Sequence, residues 1–390
     1  MAAAAFFGIA AGIYEPTFSN FLAEVFSVTD RGRGALEFPR ELPGALVTLM
    51  AGALAAVAMS RVGLMAMVLA GAGLVGLALT RDSYAVMVLF MVVYSVGVHL
   101  NMPVMDSITL SFASSGGRAT RLAQVGVAGI FGTIIGAGLV RILMAQGYAS
   151  YRGLYLAGAA FALAAGAAIA TIGGAGGRAR RPRKAFVLKR RYGLYYVLCS
   201  IFGARKQIFM TFGPWVLIKI FGQKAQAIAG LWIIFSVAGL VVRPLVGRLI
   251  DRWGERRSLV LEGVLLATVC ATYSVAGLYP GWRPALYAAM SAYVLDQLCF
   301  AVSMARTTYL SKIAESPEDI PGSLAAGMSI DHVVSMTVPI VGGAVWAAFG
   351  FQYVFWGGLC VALASSVASL SIRVPKAVET AVVEEAAATE

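Results

Sequence analysis

"RPLVGRLIDRWGERR", Arg243 to Arg257, is a charged segment held between two long apolar runs, near 226–249 and 258–279. Each run has about the 20 residues with which an α-helix crosses about 30 Å of hydrocarbon. A tight turn between two such helices requires glycine, and the segment supplies Gly247 and Gly254. Asp251 can cap a helix end while pairing with the neighbouring arginines.

Outward from this segment the same pattern repeats to both ends of the chain. Apolar runs fall near 3–26, 35–59, 62–80, 84–111, 121–145, 152–173, 193–220, 226–249, 258–279, 285–312, 323–348 and 352–372, which makes twelve spans. Over all 390 residues 59% are hydrophobic and 13% are charged, where soluble domains carry about 25% charged residues. The composition is that of an integral, all-α membrane protein. Barrel strands are excluded because they alternate polar and apolar residues over about 10 positions. The first run has neither a basic leader nor a small-residue cleavage site, so it reads as the first span and not as a removed signal peptide.

The net charge of +12 does not point to nucleic acid, because the cations gather in short loops on alternate sides of the spans. Arg61, Arg118, Arg121, Arg252, Arg256, Arg257 and Lys312 mark one side, together with "GGAGGRARRPRKAFVLKRR", Gly173 to Arg191. The other side carries only a few cations, such as Arg31 and Arg33, set against Asp30, Glu37 and Glu41. The basic side is then cytoplasmic, and both termini lie there. The Gly173–Arg191 stretch divides the chain into a six-helix bundle over 1–173, a basic cytoplasmic linker over 174–191 and a second six-helix bundle over 192–373. An acidic, disordered tail over 374–390 follows. The four cysteines lie in spans with no CxxC or Cys/His cluster, so neither disulfides nor zinc is indicated. No metal and no other cofactor is expected.

Gly247, Asp251, Arg252, Gly254, Arg256 and Arg257 fit the pattern G-x(3)-D-R-x-G-x-R-R. This resembles the loop signature of the major facilitator superfamily in its second-half copy. The resemblance implies two pseudo-repeat bundles that rock about a midplane site, and a cytoplasmic charge lock that holds one access state. Asp251, Arg252, Arg256 and Arg243 are its expected gating residues. The matching loop after span 2, "AVAMSRVGLM", Ala56 to Met65, keeps Arg61 and Gly63 but has Ser60 where the family has aspartate. Span 5, "GVAGIFGTIIGAGLV", Gly126 to Val140, loosely resembles the family's antiporter motif without its proline. Its glycines suit close helix packing.

The resemblance also implies that spans 1, 4, 7 and 10 line the cavity, and polar residues do gather in those spans. Span 1 has Glu15 and Asn20, span 4 has His99, Asn101 and Asp106, span 7 has Arg205, Lys206 and Gln207, and span 10 has Asp296, Gln297 and Arg306. Span 11 adds Asp331 and His332, and span 5 adds Arg141. A charge at mid-bilayer costs about 2.5 to 3.5 kcal/mol even on the lenient scale, so such residues face water, a partner or a ligand. Neighbouring helical positions diverge by about 100°. One of Arg205 and Lys206 should therefore face the cavity, and the other an acidic partner.

Arg205, Lys206, Glu15, Tyr14, Asn101, Asp296 and Gln297 are the substrate-binding candidates. His99, Glu15, Asp331 and His332 are the proton-coupling candidates, and Asp106 and Arg306, near span ends, join the gate. No GxxxxGK[ST] loop and no HExxH helix is present, so neither ATP-driven transport nor a zinc protease is indicated. The expected protein is no enzyme. It is a monomeric secondary transporter of a small organic anion or zwitterion, with the proton as its candidate coupling ion, in the inner or plasma membrane. A multidrug or metal-ion exporter, or a non-transporting sensor or assembly protein on the same fold, are the alternatives. Metal cargo could use Glu15, Asp296, Asp331 and the histidines, but the nearby cations would repel it.

Overall fold

The structure, a computed structural model, describes residues 1–54, 56–80, 82–112, 117–172 and 186–374. Most of the expected linker and nearly all of the expected acidic tail lie outside the described residues. The described chain is helical, with no sheet. The first half, up to 172, contains α1 (Ala2–Glu24), α2 (Asp30–Ala35), α3 (Glu37–Ala45), α4 (Val47–Ala53), α5 (Met59–Leu79), α6 (Tyr84–Ser111), α7 (Arg118–Ala145) and α8 (Tyr151–Ala170). The second half, from 186, contains α9 (Gly193–Lys219), α10 (Ala225–Ala276), α11 (Arg283–Cys299), α12 (Met304–Ile313), α13 (Asp319–Phe349) and α14 (Phe351–Leu370). Eight helices among the described residues have the length and apolar character to cross a bilayer.

Two expected spans merge in the 52-residue α10, whose course bends at Gly254, where φ is +79° and ψ is 165°. That conformation is strained for any residue with a Cβ, so the turn read in the opening segment rests on this glycine. Expected span 10 is interrupted between α11 and α12 by a 3₁₀ turn, Phe300–Ser303, beside Asp296 and Gln297.

The second expected span, 35–59, is not one continuous helix. It is broken into α2, α3 and α4. Pro39 and Pro43 lack the N–H groups that would continue the backbone ladder, and Leu36 and Leu46 stand as the links between the pieces. Arg33, Glu37 and Glu41 were expected on an outside connection, yet all three are buried.

Helix α1 approaches α7 closely at glycines of both helices. Side chains at Gly8, Gly12, Gly132 or Gly136 would strike backbone of the facing helix: Gly129 and Thr133 on one side, Ala5 and Ile9 on the other. The small-residue pattern of span 5 therefore serves close approach.

The apolar core is not uniform along the molecule. One cluster runs through both halves, from Ile13, Tyr14 and Leu74 to Phe212, Trp215 and Phe355. At the other end the core divides into a first-half cluster around Met67, Leu100 and Ile169 and a separate second-half cluster around Tyr192, Leu259 and Leu310. The halves are thus packed together at the end that carries the 24–30 and 220–225 connections. At the end that carries Gly254 they are apart.

Candidate functional site

Helix α3 carries the residues on which the closed end depends. Glu37 is fully buried, and its two oxygens receive three donors: Arg33 at Oε1, and Arg40 Nε and Gln207 Nε2 at Oε2, the last two each at 2.6 Å. Gln207 belongs to α9, so this carboxylate binds the second half as well as its own. Glu41, one turn on, lies 3.3 Å from Arg40 and 2.9 Å from His332 Nδ1 of α13. A carboxylate buried among this many donors is compensated where a lone one would not be.

Around Glu41 two histidines converge. His99 of α6 and His332 of α13 stand edge to face with ring centroids 5.1 Å apart. Lys206 completes the cluster, 3.1 Å from Asp331 Oδ1 and 3.9 Å from Glu41 Oε2. Its ammonium therefore reaches acidic groups of both halves.

Arg205 points elsewhere. It sits inside the second half, 3.2 Å from Asp296 Oδ1 and 4.0 Å from Glu262, with Arg306 at 3.4 Å from the other oxygen of Glu262. Arg205 lies over the Phe300 ring and Arg306 over the Phe202 ring, at 4.6 and 3.8 Å from their centroids. Two cations and two carboxylates, all buried, thus close on one another. One of Arg205 and Lys206 was expected to face the cavity and the other an acidic partner; in the structure both have acidic partners. The divergence of their directions is met, as successive helical positions require.

A cavity of about 280 Å³ opens between the halves, lined by Ile130 and Thr133 of α7 and by Trp232, Phe235, Arg243 and Gln297 of the second half. Gln297 donates to Asp296 Oδ2 at 3.1 Å. Glu15 of α1 is half-buried and, among the described residues, makes no hydrogen bond or ion pair. Tyr14 is buried in the first half, its ring 4.0 Å from that of Tyr94, and among the described residues neither hydroxyl has a partner. Asn101 is buried, and its amide oxygen has no partner among the described residues.

The expected gate divides in the structure. Asp251, Arg252, Arg256, Arg243 and Asp106 are exposed and, among the described residues, form no hydrogen bond or ion pair. Arg306 is not near a mouth but is locked to Glu262 in the interior. Every hydrogen bond or ion pair between the halves among the described residues belongs to the packed end or the middle. Trp215 donates to Asp30 at 2.7 Å, Asn20 to the Gln223 carbonyl at 3.0 Å and Arg141 to the Gln226 carbonyl at 3.5 Å. The histidine, lysine and glutamine contacts above complete the set.

On the basic side, Lys189 lies 2.5 Å from Asp319 and 2.6 Å from Glu315. Their carboxylates raise its ammonium pKa above the ordinary lysine value.

A sequence model described as Major Facilitator Superfamily matches residues 41–330. No curated protein matches the chain. Among solved structures, the nucleoside transporter NupG superposes with a TM-score of 0.75 at 14% identity, over 95% of this chain and 96% of that one. The xylose transporter XylE from E. coli gives 0.66 at 16% identity, over 94% of each chain. The human organic anion transporter MFSD10 gives 0.61 at 14% identity, over 94% of this chain and 97% of that one. At such identities the likeness carries the fold alone.

Proposed function

Since the chain belongs to the major facilitator superfamily, we propose that it is a secondary active transporter of a small organic anion or zwitterion, working by alternating access. The observation that carries this reading is the position of Lys206. Its ammonium reaches Asp331 in its own half and Glu41 in the other, whereas Arg205 is spent inside the second half. A substrate carboxylate or phosphate that draws Lys206 from Glu41 would loosen the join between the halves. Ligand binding and opening of the packed end are coupled in this way. The proteins of similar fold are named as nucleoside, xylose and organic-anion transporters, and the last class includes the kind of solute proposed here.

Glu15 supplies the coupling proton in this reading. It is a half-buried carboxylate in α1 that, among the described residues, has no hydrogen-bond partner, free to take up and release a proton as the cavity changes sides. With the basic loops cytoplasmic, the described state faces inward, and the protein is a monomer in the inner or plasma membrane with cytoplasmic termini.

The test is solute flux in reconstituted vesicles across a set of anionic, zwitterionic and neutral metabolites, with and without an acid-outside gradient. Uptake of an anion or zwitterion should be driven by the gradient. It should fall at least tenfold in Lys206→Ala and lose its gradient dependence in Glu15→Gln. A solute moved equally well by the parent and by Lys206→Ala would remove the substrate role assigned to this lysine.

A further inference from the structure

Glu41 on α3, His99 on α6 and His332 on α13 each bring one ligand atom to within 4.8 Å of the other two, and all three residues are buried. The direction of the imidazoles is set by their other contacts. His99 Nδ1 lies 2.9 Å from the Ser95 carbonyl oxygen and 3.1 Å from Ser95 Oγ. The Ser95 hydroxyl gives its own proton to the Arg40 carbonyl. Nδ1 therefore faces two acceptors and holds the ring proton, which leaves the Nε2 lone pair bare. That nitrogen points to the other imidazole across Gly44. A side chain at Gly44 would come within 2.7 Å of His99 Nε2 and would collide with the His332 ring. Only glycine at 44 lets the two rings meet. His332 Nδ1 in turn faces Glu41 Oε2 at 2.9 Å.

We propose that Glu41, His99 and His332 form a binding site for a divalent transition-metal ion such as Zn²⁺. Two imidazole nitrogens and one carboxylate oxygen are the donor set that such borderline ions take, with a fourth position left for water or another ligand. At metal–ligand bonds of about 2.1 Å the donor atoms of a tetrahedral site stand about 3.4 Å apart, so no pair needs to draw in by more than about 1.4 Å, and His332 Nδ1 and Glu41 Oε2, at 2.9 Å, need to part slightly. The metal displaces the proton shared by His332 and Glu41.

The neighbouring cations do not forbid this. Lys206 lies 3.1 Å from both oxygens of Asp331, and Arg40 is held by Glu37 as well as by Glu41. Arg33, Arg40 and Lys206 are matched in number by Glu37, Glu41 and Asp331, so the cluster presents no excess positive charge to the ion. Glu41 and His99 come from the first half and His332 from the second. A bound metal therefore clamps the packed end shut. It acts as a control ion and not as the cargo weighed from the sequence: of the ligands named for that cargo, Glu15, Asp296 and Asp331 lie outside this set and only the two histidines are shared.

The purified full chain, stripped with chelator, is titrated with ZnCl₂ while its melting temperature is followed, alongside His99→Ala and His332→Ala. A saturable rise in the parent, with an apparent affinity at least tenfold weaker in each variant, is expected. Equal Zn²⁺ responses in all three proteins would overturn the site. Cu²⁺ bound at one equivalent to the unaltered chain gives a reading that needs no variant to fold. Its paramagnetic resonance spectrum should show coupling to two imidazole nitrogens, and a spectrum without imidazole coupling overturns the proposal as well.

Discussion

His332 Nδ1, on α13, lies 2.9 Å from Glu41 Oε2, on α3, and this contact joins one half of the chain to the other in a buried setting. Lys206 leans on the same oxygen at 3.9 Å. Replacing Glu41 by Gln removes a charge that two partners share across the join, so the packed end should open more readily. Spin labels at Tyr148 and Tyr279, both exposed, sit on connections of opposite halves near that end. The parent should give one narrow distance distribution and Glu41→Gln a second, longer population. Identical distributions would mean that Glu41 does not hold the join.

Arg205 and Lys206 should separate by what their loss disturbs. Arg205→Ala leaves Asp296 buried without its cation and Glu262 with Arg306 alone, a change that costs about 3 to 5 kcal/mol in comparable buried pairs. Thermal unfolding in detergent should show a large drop for Arg205→Ala and a much smaller one for Lys206→Ala. Arg205→Gln combined with Asp296→Asn should recover part of the loss, because the pair is then neutral on both sides. Equal drops for the two alanine variants would contradict the assignment of Arg205 to the interior quartet.

Charges standing alone in apolar helices were legible before any coordinates, because the bilayer makes each one conspicuous. The sequence therefore placed His99, Lys206, Asp331 and His332 among the candidates, and the structure brings them together around Glu41. Glu41 itself was missed, with Arg33, Glu37 and Arg40. They follow Asp30 and Arg31 so closely that the stretch reads as a solvated loop. The signal was present in the spacing, since Arg33, Glu37 and Glu41 recur every fourth residue and so share one helix face. Glu262 was missed for a different reason. It stands alone in "SLVLEGVLLA", Ser258 to Ala267, as plainly as Asp296 does, but it lies in span 9, outside the spans 1, 4, 7 and 10 that the resemblance places on the cavity. The break at Leu36 falls just before Pro39, whose missing N–H hydropathy alone passes over. Which end is closed depends on packing between halves, and no periodicity within one helix reports that.

The glycines of α7 give a test that involves no charge. Gly132 and Gly136 face the backbone of α1, and a side chain at either would collide with the Ala5 or Ile9 carbonyl. Gly126 and Gly138 have nothing within 4 Å of where a side chain would stand. Gly132→Val and Gly136→Val should force α1 from α7 and lower the yield of folded protein and its melting temperature sharply. Gly126→Ala and Gly138→Ala should be neutral or stabilising by about 0.5 to 1 kcal/mol, the usual gain of alanine over glycine within a helix. A destabilised Gly126→Ala would show that this face meets a partner.

Asp251 tests whether the loop acts in a different state. It is exposed and, among the described residues, has no hydrogen bond or ion pair, so Asp251→Asn should leave the melting temperature of the described state unchanged. If the charge lock implied by the loop forms when this end closes, the same variant should slow transport severalfold. Unchanged flux in Asp251→Asn would remove the lock.

Lys189 offers a dependence on pH whose sign can be worked out. Its ammonium is held by Asp319 and Glu315, which raises its pKa in the folded protein above the ordinary lysine value. A group raised on folding contributes stability that is fully present below its unfolded pKa, about 10.4 for lysine, and is lost as pH rises through the folded value. The contribution should therefore be flat across neutral pH and fade only in strong alkali. Melting temperatures of the parent and of Lys189→Met, taken from pH 7 upward, should differ by a constant amount to about pH 10 and converge beyond it. Salt should narrow the difference, because the pair is open to water and screened. A difference that closed near pH 8, or one indifferent to salt, would mean that Lys189 acts through its packing and not through its charge.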